Sequence, residues 1–337
     1  MKNKLLINLP ASFHDAGFVQ ERYARAAQRY DIRTTSHNTP EEIAADLAWP
    51  DAILMWSWPV FTEKEFGLAR NLKFLAHLGV HPVTVENALK RNIALSETRH
   101  CWSPAVSEMA LGLMLNGLRH ISEFHMKMRS GEDAEIWARP FPSQNDPTER
   151  QLTGRTVGVV GFGAIGRRLA ELLKPFNTEL LVYDPFVPKA VCESLGARQT
   201  GLDEICARCE VIVLCAANVD GAEKLVNADR INAMQKNTVL VNVGRSFLID
   251  MDALAKRLAK NDMFAMLDVF DREPLEADSV FRKLPNAYLS PHRAGGVNES
   301  VCRAMDWLLA DIDAFFDNKP RKYAITEVMA NCLPTRG

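Results

Sequence analysis

Short apolar runs alternate along this chain with longer stretches whose apolar positions recur every three or four residues. The short runs predict strands at 5–9, 32–35, 52–56, 72–75 and 93–96, then at 156–160, 180–183, 211–214, 239–243, 265–269 and 288–290. The longer stretches predict helices at 18–30, 104–119 and 299–318, with Pro104 suited to a first helical turn. Strands that alternate with helices imply parallel sheets with helices on both faces. The polar segment 130–150 carries several prolines and acids and reads as a loop. At 337 residues the chain is long for one core, so two domains are expected.

One of these strands runs straight into a glycine turn, in RTVGVVGFGAIGRRLAELL. Gly161 lets the chain leave the strand sharply. Gly163 keeps side-chain atoms away from a pyrophosphate, and Gly166 lets the following helix pack closely on the sheet. Ala164 and Ile165 open that helix, whose free amides and dipole favour an anion. Asp184 ends the next apolar run, 18 residues after Gly166. A carboxylate there accepts hydrogen bonds from both ribose hydroxyls and repels a 2′-phosphate, which predicts NAD over NADP. The first hundred residues lack such a fingerprint, so the dinucleotide belongs to the second half.

Composition narrows the partners. A formal net charge of −2 leaves no basic surplus for nucleic acid or an anionic membrane. Hydrophobic content of 47% and charged content of 24% are ordinary for a soluble globular protein. The most apolar helical stretch, 109–118, is too short to span a bilayer, and the first ten residues read as a strand and not as a leader. A cytoplasmic location is expected. Seven cysteines fit reduced thiols better than a disulfide framework. Cys206 and Cys209 form a CxxC without a second pair, in a helix; no metal site is expected.

Three further segments each place polar residues where a strand ends, the edge at which open α/β sheets bind ligands. VLVNVGRSFLID carries Arg245, AMLDVFDREPL carries Asp268 and Glu273, and AYLSPHRAGG carries His292. Singly, each has a bland reading as a surface arginine, a loop acid or a structural histidine. Together they supply what hydride exchange with a 2-oxo acid requires. Arginine clamps a carboxylate bidentately, histidine gives a proton to the carbonyl oxygen, and glutamate orients the histidine ring.

With these motifs in order, the chain resembles the D-isomer-specific 2-hydroxyacid dehydrogenase family over nearly its whole length. The match rests on Asn242 and Arg245, on Asp268 and Glu273 in D-V-F-x-x-E-P, on Ser290 to His292, and on Val106-Ser107-Glu108 near a family V-A-E. The resemblance implies two Rossmann/flavodoxin-like domains with an active-site cleft between them. A substrate-binding domain would comprise 1–101 plus 294–337, and an NAD-binding domain 102–293. It implies a homodimer formed through the NAD-binding domain. It sets Ala164, Ile165, Ala216, Val243 and Asp268 beside the cofactor, with Asp268 near the nicotinamide carboxamide. Backbone around Gly79 and Val80 would meet the substrate carboxylate, with Trp56 in the substrate loops. Catalysis would fall to His292, Glu273 and Arg245.

The chain also departs from the family pattern. Ser246 follows Arg245 where glycine is usual, and Cys215-Ala216-Ala217-Asn218 replaces a His-x-Pro turn. Gly79-Val80-His81-Pro82-Val83 replaces a glycine-rich loop, and Trp56-Ser57 stands where phosphoglycerate enzymes have Arg-Ser. Phosphoglycerate is thereby disfavoured. Glu273 disfavours formate, and Leu78 disfavours phosphite. Trp56, Trp58, His77, His81 and Trp102 are candidates for a bulkier, aromatic-friendly pocket, although packing is the commoner use of any one of them. The expected activity is NAD-dependent interconversion of a 2-oxo acid and a D-2-hydroxy acid. The alternative is an NAD(H)-sensing, corepressor-like binding protein.

Overall fold

The computed structural model describes residues 2–56, 58–79, 81–138, 148–216 and 221–325. Two compact units emerge, one from 1–101 with 298–337 and the other from 102–297.

The first unit is built on strands β1 (Lys4–Asn8), β2 (Asp31–Thr35), β3 (Ala52–Met55), β4 (Phe74–His77) and β5 (Ala94–Glu97). They form a parallel sheet in the order β2-β1-β3-β4-β5. β3 and β4 are buried at every position, as strands covered on both faces must be. Helix Asn298–Phe316 brings the chain back to this unit. It buries Val301, Ala304, Met305, Leu308 and Ile312 at helical spacing, and the Phe315 ring lies 4.9 Å from Phe74. Asp306 on this helix pairs at 2.5 Å with both Arg22 and Arg25 of helix Gly17–Arg29. Buried Asp311 accepts the Ser96 hydroxyl at 2.6 Å and the amides of Lys322 and Tyr323, which ties the last described turn to β5.

The second unit contains β6 (Thr156–Val160), β7 (Glu179–Tyr183), β8 (Ala197–Gln199), β9 (Val211–Leu214), β10 (Val239–Asn242), β11 (Phe264–Leu267) and β12 (Ala287–Leu289). Their order is β12-β11-β10-β9-β6-β7-β8, again all parallel. Side chains alternate across the sheet. Val157, Val159, Val213, Val239 and Val241 join one core with Leu113, Met114 and Leu169. Ile212, Leu214, Leu240 and Leu267 join the other with Ile205 and Leu254. Truncating one of these buried leucines to alanine costs about 2–5 kcal/mol. Gly117, on helix Ser103–Arg119, permits close packing: a Cβ there would lie 2.5 Å from Val239 Cγ1.

The fold differs from the sequence pattern at several places. The strand expected at 72–75 runs from Phe74 to His77, because Leu72 is buried in the turn before it. The edge strand β8 has one buried residue in three and no legible alternation. Left-handed His120 ends the long helix, and a second helix, Ile121–Ser130, follows directly. Within the expected loop 130–150, Ala134–Trp137 is helical, and 139–147 lie outside the described residues. Cys206 and Cys209 are free and buried in or beside helix Leu202–Arg208. A Cβ on Gly158 would lie 2.9 Å from the Cys209 sulfur. Among the described residues no His/Cys/Asp/Glu group could hold a metal, and no helix is long and apolar enough to cross a membrane.

Candidate active site

The seven-stranded sheet changes direction between β6 and β9, so the loops leaving these two strands open a crevice. The glycine turn leaves β6 there. Gly161 has φ +93°, and a Cβ on it would lie 2.4 Å from Ala216 Cα. Gly166 is equally constrained, since its Cβ would meet the Gly161 carbonyl oxygen at 2.3 Å. Gly163 is the opposite case: a Cβ there meets nothing within 4 Å. The turn is thus closed on its protein side and open at the helix N-terminus, the shape a pyrophosphate needs.

Fully buried Phe162 anchors the turn, and the Cys215 thiol donates to the Gly161 carbonyl at 3.0 Å. Asp184 follows β7 and accepts the Phe162 amide at 2.7 Å and the Phe186 amide at 2.9 Å, which fixes its carboxylate beside the turn. Ala164, Ile165 and Ala216 are half-buried around the crevice, and Val243 is buried just past β10. Residues 217–220 of the loop after β9 lie outside the described residues.

The other polar residues stand at the carboxyl ends of β10, β11 and β12. Asn242, fully buried, shapes the turn that presents Arg245. Its side-chain amide donates to the Arg245 carbonyl at 2.9 Å and its oxygen accepts the Gly244 amide at 3.1 Å. The exposed Arg245 guanidinium donates to the Gly244 carbonyl at 2.8 Å and has no carboxylate partner among the described residues. Glu273 accepts the Phe270 amide on one oxygen at 3.0 Å and His292 Nδ1 on the other at 2.7 Å. Nδ1 therefore carries the proton, and Nε2 faces away from the carboxylate. Burial pushes the Glu273 carboxyl up. The hydrogen bonds from His292 and Phe270, with the charges of His292 and Arg245, outweigh it and hold Glu273 below the usual carboxylate range. A cavity of about 420 Å³ opens beside this pair, lined by Phe270, Glu273, Leu275, Arg282, Leu289 and His292 among others.

Asp268, which the resemblance sets near the nicotinamide carboxamide, stands just past the end of β11. It is fully buried, and its carboxylate accepts the Ser290 hydroxyl and the amides of Arg293 and Ala294. Its observed task is to hold the segment carrying His292. Sequence reasoning could not see this, because the contact depends on β11 pairing with β12 in register.

On the first unit, Trp56 follows β3 and Gly79 follows β4. The Gly79 amide donates to Nδ1 of fully buried His77 at 3.3 Å, and Val80 lies outside the described residues. His81 caps helix Pro82–Lys90 by accepting the Val83 amide at 3.3 Å.

Comparison with known proteins identifies the family. A family model described as "D-isomer specific 2-hydroxyacid dehydrogenase, NAD binding domain" matches residues 111–294, more than half of the chain. The chain is 30% identical over 275 residues to a D-3-phosphoglycerate dehydrogenase of Methanocaldococcus jannaschii. That alignment covers 80% of this chain but spans only half the length of the relative. It is 27% identical over 276 residues to a hydroxypyruvate reductase of Thermotoga maritima, covering 80% of this chain and 86% of that one. Among solved structures, a phosphoglycerate oxidoreductase from Rhizobium etli superposes with a TM-score of 0.81 at 22% identity. The superposition covers 96% of this chain and 98% of that one, and shows the shared fold.

Proposed function

The chain is a member of the D-isomer specific 2-hydroxyacid dehydrogenase family with a nicotinamide dinucleotide cofactor, and from that premise we propose that it interconverts a 2-oxo acid and its D-2-hydroxy acid with NAD(H). The observation that carries this reading is the 2.7 Å contact between His292 Nδ1 and Glu273, with Arg245 close enough to act on the same carboxylate. All three share a sheet edge with the glycine turn.

In this mechanism Arg245 clamps the substrate carboxylate, because its guanidinium is exposed and unengaged by any described acid. His292 presents Nε2 to the carbonyl oxygen and donates the proton as negative charge develops there. Glu273 keeps Nδ1 protonated throughout, so the histidine cycles between its charged form and one neutral tautomer. In the reverse direction the free Nε2 lone pair accepts the hydroxyl proton. The cofactor, when bound, supplies or accepts the hydride. Asp184 disfavours a 2′-phosphate, which supports NAD over NADP. Gly79, Val80 and Trp56 are assigned to the substrate side on the family resemblance.

We also read the protein as a cytoplasmic homodimer joined through the NAD-binding unit. Ile121, Met126 and Met128 on helix Ile121–Ser130 are exposed, and Trp137 is 73% exposed; solitary domains rarely leave such a group of apolar side chains in water. Light scattering tests the dimer. The enzymatic reading is tested by loss of NADH absorbance with glyoxylate, hydroxypyruvate, pyruvate and phenylpyruvate. Turnover that disappears in Arg245→Ala is the expected result. NADH binding without turnover of any 2-oxo acid would overturn it in favour of a sensing role.

A further inference from the structure

The cavity of about 420 Å³ beside Glu273 and His292 lies wholly within the seven-stranded unit, at the β12 edge of its sheet. Its walls come from the loop after β11, the short 3-10 helix Val280–Lys283 and the end of β12. Phe270, Leu275, Leu289 and Pro291 make these walls largely apolar. Arg282 adds a cation to the lining, beside the Glu273–His292 pair. Neither Arg245 nor any residue of the glycine turn lines the cavity. It is therefore separate from the crevice between β6 and β9 and from the guanidinium assigned to the substrate.

Arg282 is held in place without being neutralised. Its Nε donates to the Glu276 carbonyl at 2.8 Å, and Nη2 donates to the Leu275 carbonyl at 2.9 Å. Both partners are uncharged backbone groups. The Glu276 carboxylate faces Arg272 instead, at 3.8 Å. Among the described residues no carboxylate pairs with Arg282. A guanidinium has more N–H donors than these two bonds use, so a fixed fork remains for an incoming anion. Glu273, by contrast, is already committed to the Phe270 amide and to His292.

We propose that this cavity binds a small monocarboxylate with an apolar body, at a modulatory site distinct from the place of the 2-oxo acid. The carboxylate pairs with Arg282, and the body lies against Phe270, Leu275 and Leu289. Small-ligand sites have this make-up: mostly apolar walls, a few fixed polar groups and a volume of about 300–1,000 Å³. A dianion suits the cavity less, because the Glu273 carboxylate lines the same space. The Glu273 side chain is 37% exposed. A ligand beside it removes water and sets a second negative charge nearby, and both weaken its ionised state. Glu273 then holds the His292 ring less firmly, so occupancy lowers turnover. Binding stands independently of the proposed dehydrogenase reading; the effect on turnover rests on it.

The test titrates benzoate into the protein in the presence of NADH, read by calorimetry, in the unmodified chain and in Arg282→Gln, Leu275→Trp and Arg245→Ala. Binding is expected to survive Arg245→Ala and to weaken about tenfold or more in Arg282→Gln. Leu275→Trp fills the cavity and leaves the Arg282 side chain in place, so it should weaken binding as well. Melting temperatures are followed, and Leu275→Trp decides the matter if Arg282→Gln does not fold. No binding, or binding lost in Arg245→Ala and kept in the two cavity variants, overturns the site. With a 2-oxo acid that is turned over, benzoate should lower kcat and leave KM nearly unchanged. Purely competitive inhibition overturns the modulatory role. Benzoate binding that follows Arg282, without turnover of any oxo acid, keeps the site and rejects the dehydrogenase reading alone.

Discussion

Asp268 carries the backbone of His292. Its carbonyl accepts the His292 amide at 2.9 Å, and its carboxylate accepts the next two amides, Arg293 at 2.9 Å and Ala294 at 2.8 Å. His292 itself sits at φ 51°, a left-handed conformation that disfavours a non-glycine residue. The neighbouring hydrogen bonds over-determine that conformation. Asp268→Ala would strand the donors of Ser290, Arg293 and Ala294 and release the loop. We expect a loss of about 2–4 kcal/mol in stability, with kcat reduced more than NADH affinity. Thermal unfolding together with steady-state kinetics measures both. An unchanged kcat would mean that the loop keeps its shape without the carboxylate.

Glu273 should matter through the ring it holds. Glu273→Gln should lower kcat by about 10²–10⁴, the usual range for an acid–base contribution. Because the folded carboxyl sits below its ordinary value, the unfolded chain takes up the proton first as pH falls. Its contribution to stability is therefore complete above the ordinary carboxylate range and is lost as pH drops through the folded value. Denaturant titrations at several pH values should show a weaker acid dependence in Glu273→Gln. Equal dependence in both proteins would remove Glu273 from the ionic balance.

His77 makes a second prediction about acid. Burial holds its pKa down to about 3, against 6.5 when unfolded. The unfolded chain then binds a proton that the folded chain refuses, so stability falls as pH drops below 6.5, by about 1.4 kcal/mol per pH unit. His77→Asn keeps an acceptor near the Gly79 amide and removes the titrating group. Its stability should be flatter between pH 6.5 and 4.5 than that of the unmodified protein, as read by urea midpoints at each pH.

Gly161 and Gly163 should fail in different ways. Gly161→Ala places a Cβ into the Ala216 backbone at positive φ and should destabilise the fold as well as abolish NADH binding. Gly163→Ala meets no protein atom, so the melting temperature should hold while NADH affinity drops. Calorimetry and NADH fluorescence separate the two. Equal loss of stability in both would mean that the turn is not open on its Gly163 side.

The chemistry was easier to find in the sequence than the edges of the fold. β9 is an uninterrupted apolar run, and β10 is one up to Asn242, because both faces are covered, so pattern alone locates them. The glycine turn was legible because Gly161 and Gly166 answer to steric limits that glycine alone meets. The contact of Glu273 with His292 was anticipated from chemical need. Other features carry no local signal. Helix Ile121–Ser130 has no buried residue, and β8 is three residues at a sheet edge. The Asp268 contacts and the Phe13–Trp56 stack join loops that only the sheet order brings together.

The buried cysteines give the protein an internal clock of opening. Burial pushes the Cys206 thiol up to about 11, and those of Cys101, Cys209 and Cys215 up to about 12. Thiol reagents attack the thiolate, so these four stay silent until the surrounding structure parts. Cys101 belongs to the five-stranded unit, and Cys206, Cys209 and Cys215 belong to the seven-stranded one. The rate at which each is alkylated under native conditions therefore reports how often its own unit opens around it, with no substitution made in the chain.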